Sequence, residues 1–180
     1  MKKIIAFSGS NSPVSINQQL IQIVSKYIIE NTENIEVEIL NLRNYPAPMF
    51  GIEEEETVGF PQTMQDFHAI MQSADGFVVS SPEHNGSMPA VLKNTIDWLS
   101  RIGGKVFNDK PTVFLSTSPG ARGGASVLQH LMGTMPYRGA NVIGGHGVGS
   151  FNEKIINDEV VPGDDKLKLQ ELMKELAAAL

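Results

Sequence analysis

Three short stretches of this 180-residue chain concentrate side chains able to do chemistry. The first is FSGSNSPVSIN, residues 7–17, set between an apolar run and an apolar-periodic one. Ser8, Ser10, Ser12 and Ser15 supply hydroxyls, Asn11 and Asn17 amides, and Gly9 permits a tight turn. A helix starting just after them would present unpaired N–H groups and a partial positive charge, a combination that binds phosphate. The same residues also suit an ordinary N-cap and a polar loop, so this stretch alone leaves both readings open. It has neither G-x-x-x-x-G-K-[ST] nor G-x-G-x-x-G, which argues against nucleoside triphosphates and against a dinucleotide here.

The second stretch, SSPEHNGSMPAVLKNTIDWLS, covers residues 80–100. Pro82 and Gly86 stiffen and sharpen the turn, while Glu83, His84 and Asn85 offer an acceptor, a flat ring and an amide. Backbone groups over 82–87 suit a heteroaromatic edge that alternates donors and acceptors. A solvent-exposed loop histidine is the plainer account of His84. Trp98 and Leu99 read as packing, and Lys93 with Asp97 as a helix-surface ion pair. The third stretch, STSPGARGGA over 116–125, carries three glycines that let a planar ligand approach the backbone. Its Arg122 reads equally as an anion clamp or as an exposed surface arginine.

These stretches need a scaffold, and the hydrophobic pattern supplies one. Strands are expected over 2–8, 35–42, 76–81, 111–117 and 140–145, the second alternating as a half-exposed edge strand would. Helices are expected over 16–30, 62–73, 88–101 (Pro89 in its first turn), 124–135 and 164–179. Residues 43–61 read as a loop with an acidic run, Glu53–Glu56. Strands alternating with helices imply an α/β fold, a parallel sheet covered on both faces. The common doubly wound order for five strands is 2-1-3-4-5, with its ligand crevice beyond the carboxyl ends of the strands. All three stretches follow such ends. The whole chain, 1–180, is expected to be one domain.

Composition narrows the function. Without cysteine there is no disulfide, Cys-ligated zinc, iron–sulfur cluster or thiol nucleophile, and a reducing cytoplasm fits. MKKIIAFSGS holds four consecutive apolar residues, too few for a signal-peptide core. No apolar run approaches a membrane span. A net charge of -6 argues against nucleic acid and anionic membranes as partners.

The loops together resemble the NADPH-dependent FMN reductases, flavodoxin-like proteins that include quinone, azo-dye and chromate reductases. The resemblance covers residues 3 to 145. For the family's G-S-x-R-x-x-S-x-N this chain has Gly9-Ser10-Asn11-Ser12-Pro13-Val14-Ser15-Ile16-Asn17. For P-E-Y-N-x-S-x-P-G-x-L-K-N-x-I-D-W it has Pro82-Glu83-His84-Asn85-Gly86-Ser87-Met88-Pro89-Ala90-Val91-Leu92-Lys93-Asn94-Thr95-Ile96-Asp97-Trp98. The second match is the specific one. The resemblance implies a flavodoxin-like three-layer sandwich binding FMN. Ser10, Ser15 and Asn17, with Ser12 and Ile16 in the same loop, would hold the phosphate. Pro82, Glu83, His84, Asn85 and Gly86 would border the isoalloxazine, and Ser118 and Gly120 would approach it from the strand-4 loop. Three positions depart from the pattern: Ser12 for arginine, His84 for tyrosine and Ala90 for glycine. The first removes a charge-assisted phosphate contact.

The implied activity is an NAD(P)H-dependent FMN oxidoreductase. NADPH or NADH would be co-substrate, and quinone-like, azo or other small molecules the electron acceptors. One shared site implies ping-pong turnover, and since the cofactor carries the reaction no catalytic acid or base is assigned. The alternatives are a flavodoxin-type electron carrier and a flavin-free scaffold. The resemblance also implies a homodimer or homotetramer; the apolar face Leu92, Ile96 and Leu99 suits either a partner or the core.

Overall fold

The computed structural model describes residues 1–180. Strand β1 (Lys2–Ser8) lies inside the sheet, and its Ile4, Ile5 and Ala6 are fully buried. A parallel strand covered on both faces needs such a continuous apolar run. β2 (Ile35–Asn41) alternates, pairs with β1 alone and forms an edge. With β3 (Gly76–Ser80), β4 (Pro111–Thr117) and β5 (Asn141–Val148) the sheet has the expected order β2-β1-β3-β4-β5, all pairs parallel.

The period of two sends alternate side chains into two cores. Ile4, Ala6, Val78, Val113 and Leu115 pack against α1 (Ile16–Asn31) and α7 (Asp164–Ala178). Ile5, Phe7, Phe77, Val79 and Phe114 pack against α3 (Gln62–Gln72), α4 (Ala90–Gly103) and α5 (Ala125–Thr134). Leu92, Ile96, Trp98 and Leu99 belong to this second core, so that face of α4 is covered from within the chain. Pro89 is the N-cap of α4 and not a residue of its first turn.

Three segments differ from the sequence expectation. Residues 43–61 are ordered into a 3-10 turn (Leu42–Asn44) and α2 (Ile52–Val58). Glu53, Glu54 and Glu55 favour the positive end of α2. α4 holds the segment: Trp98 Nε1 and Asn94 Nδ2 both donate to the Pro48 carbonyl at 2.9 Å, and Arg101 pairs with Glu55 at 2.8 Å. β5 continues past Gly145 to Val148. Its glycines leave room for the flanking helices, since a Cβ on Gly144 would lie 2.7 Å from Leu172 and one on Gly145 2.7 Å from Met132. Beyond the sheet, α6 (Phe151–Lys154) leads into a hairpin of β6 (Ile155–Ile156) and β7 (Glu159–Val160). Strands of two residues carry no readable period.

Candidate functional site

The sheet register brings the three chemistry-bearing loops to one rim. Ser8 ends β1 beside Ser80, which ends β3, and Ser80 pairs with Leu115 near the end of β4. Asn17, in the first turn of α1, stitches these ends together. Its Oδ1 accepts from Ser80 Oγ at 2.7 Å and from the Thr117 N–H at 3.0 Å; its Nδ2 donates to the Thr117 carbonyl at 3.0 Å. The side chain is fully buried. The resemblance implied that Asn17 holds phosphate. With the side chain committed to the sheet, only its backbone N–H at the helix start is left for that part.

Apart from the Asn17 amide, the 9–17 loop leaves several donors without partners in the chain. Ser15 is the N-cap of α1, accepting from the Gln18 N–H at 3.2 Å. Ser10 Oγ accepts from the Ser12 N–H at 3.1 Å and Ser12 Oγ from the Val14 N–H at 3.3 Å. A hydroxyl that accepts still has its own proton to donate. The backbone N–H groups of Ser10, Asn11 and Ser15 have no partner within the chain. Ile16 opens the helix, so its N–H has no intrahelical acceptor.

The loop after β3 is tied down at several points. Ser116 Oγ donates to the Ser81 carbonyl at 2.7 Å, fixing its root. His84 and Ser87 exchange backbone hydrogen bonds of 2.9 and 3.1 Å around Asn85 (φ 52) and Gly86 (φ 79). Positive φ at both central positions makes a type I′ turn, which Asn-Gly adopts readily. His84, Asn85 and Gly86 are exposed there. Glu83 does not point its carboxylate out of this loop. Oε2 accepts from the Ser126 and Val127 N–H groups of α5 at 2.9 and 3.2 Å. Ser87 Oγ and His130 Nδ1 lie 2.8 Å apart, a second contact to the same helix.

In the loop after β4, the Ser118 N–H bonds the Val148 carbonyl, and its Oγ donates to the Gly120 carbonyl at 2.9 Å. Gly120 is exposed, and an added Cβ would meet nothing within 4 Å. Gly124, by contrast, is left-handed (φ +74) against Ser116, so a side chain is barred twice over. Arg122 is exposed and bonds Ser126 Oγ at 3.0 Å. Lys93 and Asp97 form the expected surface pair at 2.6 Å. A cavity of about 360 Å³ flanks the 9–17 loop, lined among others by Asn11, Arg43, Tyr45 and Asn94. Residues 43–47 therefore border the rim on the β2 side.

This donor set fits FMN. Unpartnered N–H groups and hydroxyls at a helix start match a phosphate monoester. An exposed, rigid turn and an open glycine on neighbouring loops match a flat ring with a polar edge. With serine at position 12, residues 9–17 themselves supply no cation. Sequence reasoning missed the Asn17 bridge, the Glu83 contacts and His130. For Asn17 and Glu83 the motif gave residue types but not which way they face. For His130 there was no signal, since nothing local distinguishes an exposed helix histidine.

Comparison with known proteins shows the family and the fold. A family model described as NADPH-dependent FMN reductase matches residues 2–153. A curated NAD(P)H-dependent FMN reductase of Pseudomonas aeruginosa is 30% identical over 135 residues, 75% of this chain and 70% of that protein. A quinone reductase of Escherichia coli K12 is 35% identical over 96 residues, 53% of this chain. That match spans only about half, 51%, of the relative's own length. Among solved structures, the flavoenzyme NAD(P)H:(acceptor) oxidoreductase FerB of Paracoccus denitrificans superposes with a TM-score of 0.77. It is 22% identical, covering 99% of this chain and 97% of the other, and shows the shared fold.

Proposed function

The chain belongs to the NADPH-dependent FMN reductase family, and from that premise we propose that it is an FMN-dependent oxidoreductase, one FMN-binding domain over residues 1–180. In this reading the serine loop holds the phosphate through Ser10, Ser12, Ser15 and the backbone of Ile16 and Asn17. Pro82, Glu83, His84, Asn85 and Gly86 border the isoalloxazine from one side, mainly through backbone, and Ser118 and Gly120 from the other. The observation that carries the reading is the Asn17 amide, whose bonds to Ser80 and Thr117 hold all three loop roots at one place.

Bound FMN supplies hydride acceptance from a nicotinamide and onward transfer of one or two electrons. The chain orients it: helix N–H groups and hydroxyls fix the tail, and tied-down backbone fixes the ring edge. A single rim serves NAD(P)H and acceptor in turn, which gives ping-pong turnover. Quinone-like and azo compounds are the acceptors in this reading. A cytoplasmic homodimer or homotetramer goes with it, and the exposed Met49, Ile52 and Val58 of the 43–61 segment support an oligomer. No helix is long and apolar enough to cross a membrane.

The test is anaerobic addition of NADPH or NADH to FMN-loaded protein, followed by steady-state kinetics with a quinone. The reading expects loss of the oxidised flavin band and parallel double-reciprocal lines. Retained flavin that neither nicotinamide bleaches would favour an electron carrier, and a protein that takes up no FMN would favour a scaffold.

A further inference from the structure

We propose that the Glu83 carboxylate is a positioning group: it latches the loop after β3 onto α5 and sets the charge beside the flavin edge, while only the backbone of Glu83 borders the cofactor. This rests on the FMN reading above.

α5 lacks a cap of its own. Its N-cap, Gly124, is left-handed and makes no side-chain hydrogen bond, and no acidic residue lies in the first turn. The Ser126 and Val127 N–H groups are met instead by one carboxylate oxygen from 43 and 44 residues earlier in the chain, at 2.9 and 3.2 Å. A carboxylate is the strongest side-chain acceptor for such donors and offsets the positive end of the helix. One turn on, Ser87 Oγ and His130 Nδ1 make a second tie at 2.8 Å. The exposed His84–Ser87 turn lies between the two ties in sequence, so α5 holds it from both ends.

Two consequences follow. The loop after β3 and the loop leading into α5, which must approach a flat ring together, are held at a fixed spacing before any ligand arrives. That is preorganisation. The carboxylate also places a negative charge at the rim. A reduced flavin carries more negative charge than an oxidised one, so Glu83 opposes reduction. Glutamine at this position can still accept both N–H bonds but carries no charge, which separates the two roles.

The experiment compares wild type, E83Q and E83A. Amide exchange of the apo-protein reads the latch with no flavin present. E83A should exchange at least tenfold faster at Ser126 and Val127, and should bind FMN and riboflavin alike about tenfold more weakly. E83Q should keep FMN affinity within about threefold of wild type while its flavin midpoint potential moves to more positive values. Wild-type exchange and affinity in a folded E83A would overturn the latch. An unchanged potential in E83Q would overturn the electrostatic role. If E83A does not fold, the E83Q potential and its exchange at the same amides decide. Wild-type protein that binds no FMN would defeat the functional reading, a result distinct from these because exchange in the apo-protein still reads the latch.

Discussion

Asn17 shows why a residue's type and its role can part company. Its amide satisfies a buried hydroxyl, a buried N–H and a buried carbonyl at once. Replacement by alanine leaves those groups without partners at about 1–3 kcal/mol each. We expect Asn17→Ala to destabilise the protein by about 3 kcal/mol or more, a fall in Tm of roughly 6–12 °C at this size. Urea and thermal unfolding check it; a change below about 1 kcal/mol would mean the bridge is not made. The sequence motif flagged Asn17, Glu83 and Ser15 alike. Only Ser15 stands where its type alone would put it, at a helix N-cap. The other two are polar side chains whose partners lie far along the chain, and local sequence carries no sign of distant donors.

Elements were most readable where the pattern was long. β1, α1 and β4 follow from apolar runs and helical spacing. β5 was shortened because glycine reads as a stop, whereas here it makes room for Leu172 and Met132. The segment after β5 was silent for another reason: it is held by charge. Asp165 at the start of α7 accepts from His146 of β5 at 2.7 Å and from Lys154 of α6 at 2.5 Å. Burial by itself raises the Asp165 pKa, but the Lys154 and His146 hydrogen bonds outweigh it and leave it below the usual carboxylate range. A pKa lowered by folding adds stability above the unfolded value, about 3.9, and that stability is lost as pH falls through the folded value. Asp165→Asn should therefore cost about 1 kcal/mol at pH 7, with the difference from wild type shrinking below about pH 4. Unfolding at a series of pH values tests this. A deficit that persists unchanged at pH 3 would show that the ion pairs are not its source.

At the scale of the molecule, alternation of strands and helices was enough to place the three chemistry-bearing stretches at one end of a parallel sheet, because parallel strands end on a common side. It was not enough to say how they are held there. That came from contacts between distant residues: the Asn17 bridge, the Glu83 latch and the clasp of Trp98 and Asn94 on the 43–61 segment. A net charge of -6 gives no general attraction for an anion, so phosphate binding must be local to the serine loop. The central claim is that these separated loops form one FMN site, and backbone amide NMR of the apo-protein titrated with FMN tests it most directly. The account predicts saturable shifts concentrated in residues 9–17, 82–87 and 118–124, with riboflavin sparing the first group. Shifts centred elsewhere, such as on the cavity beside Arg43, or no saturation at all, would contradict it.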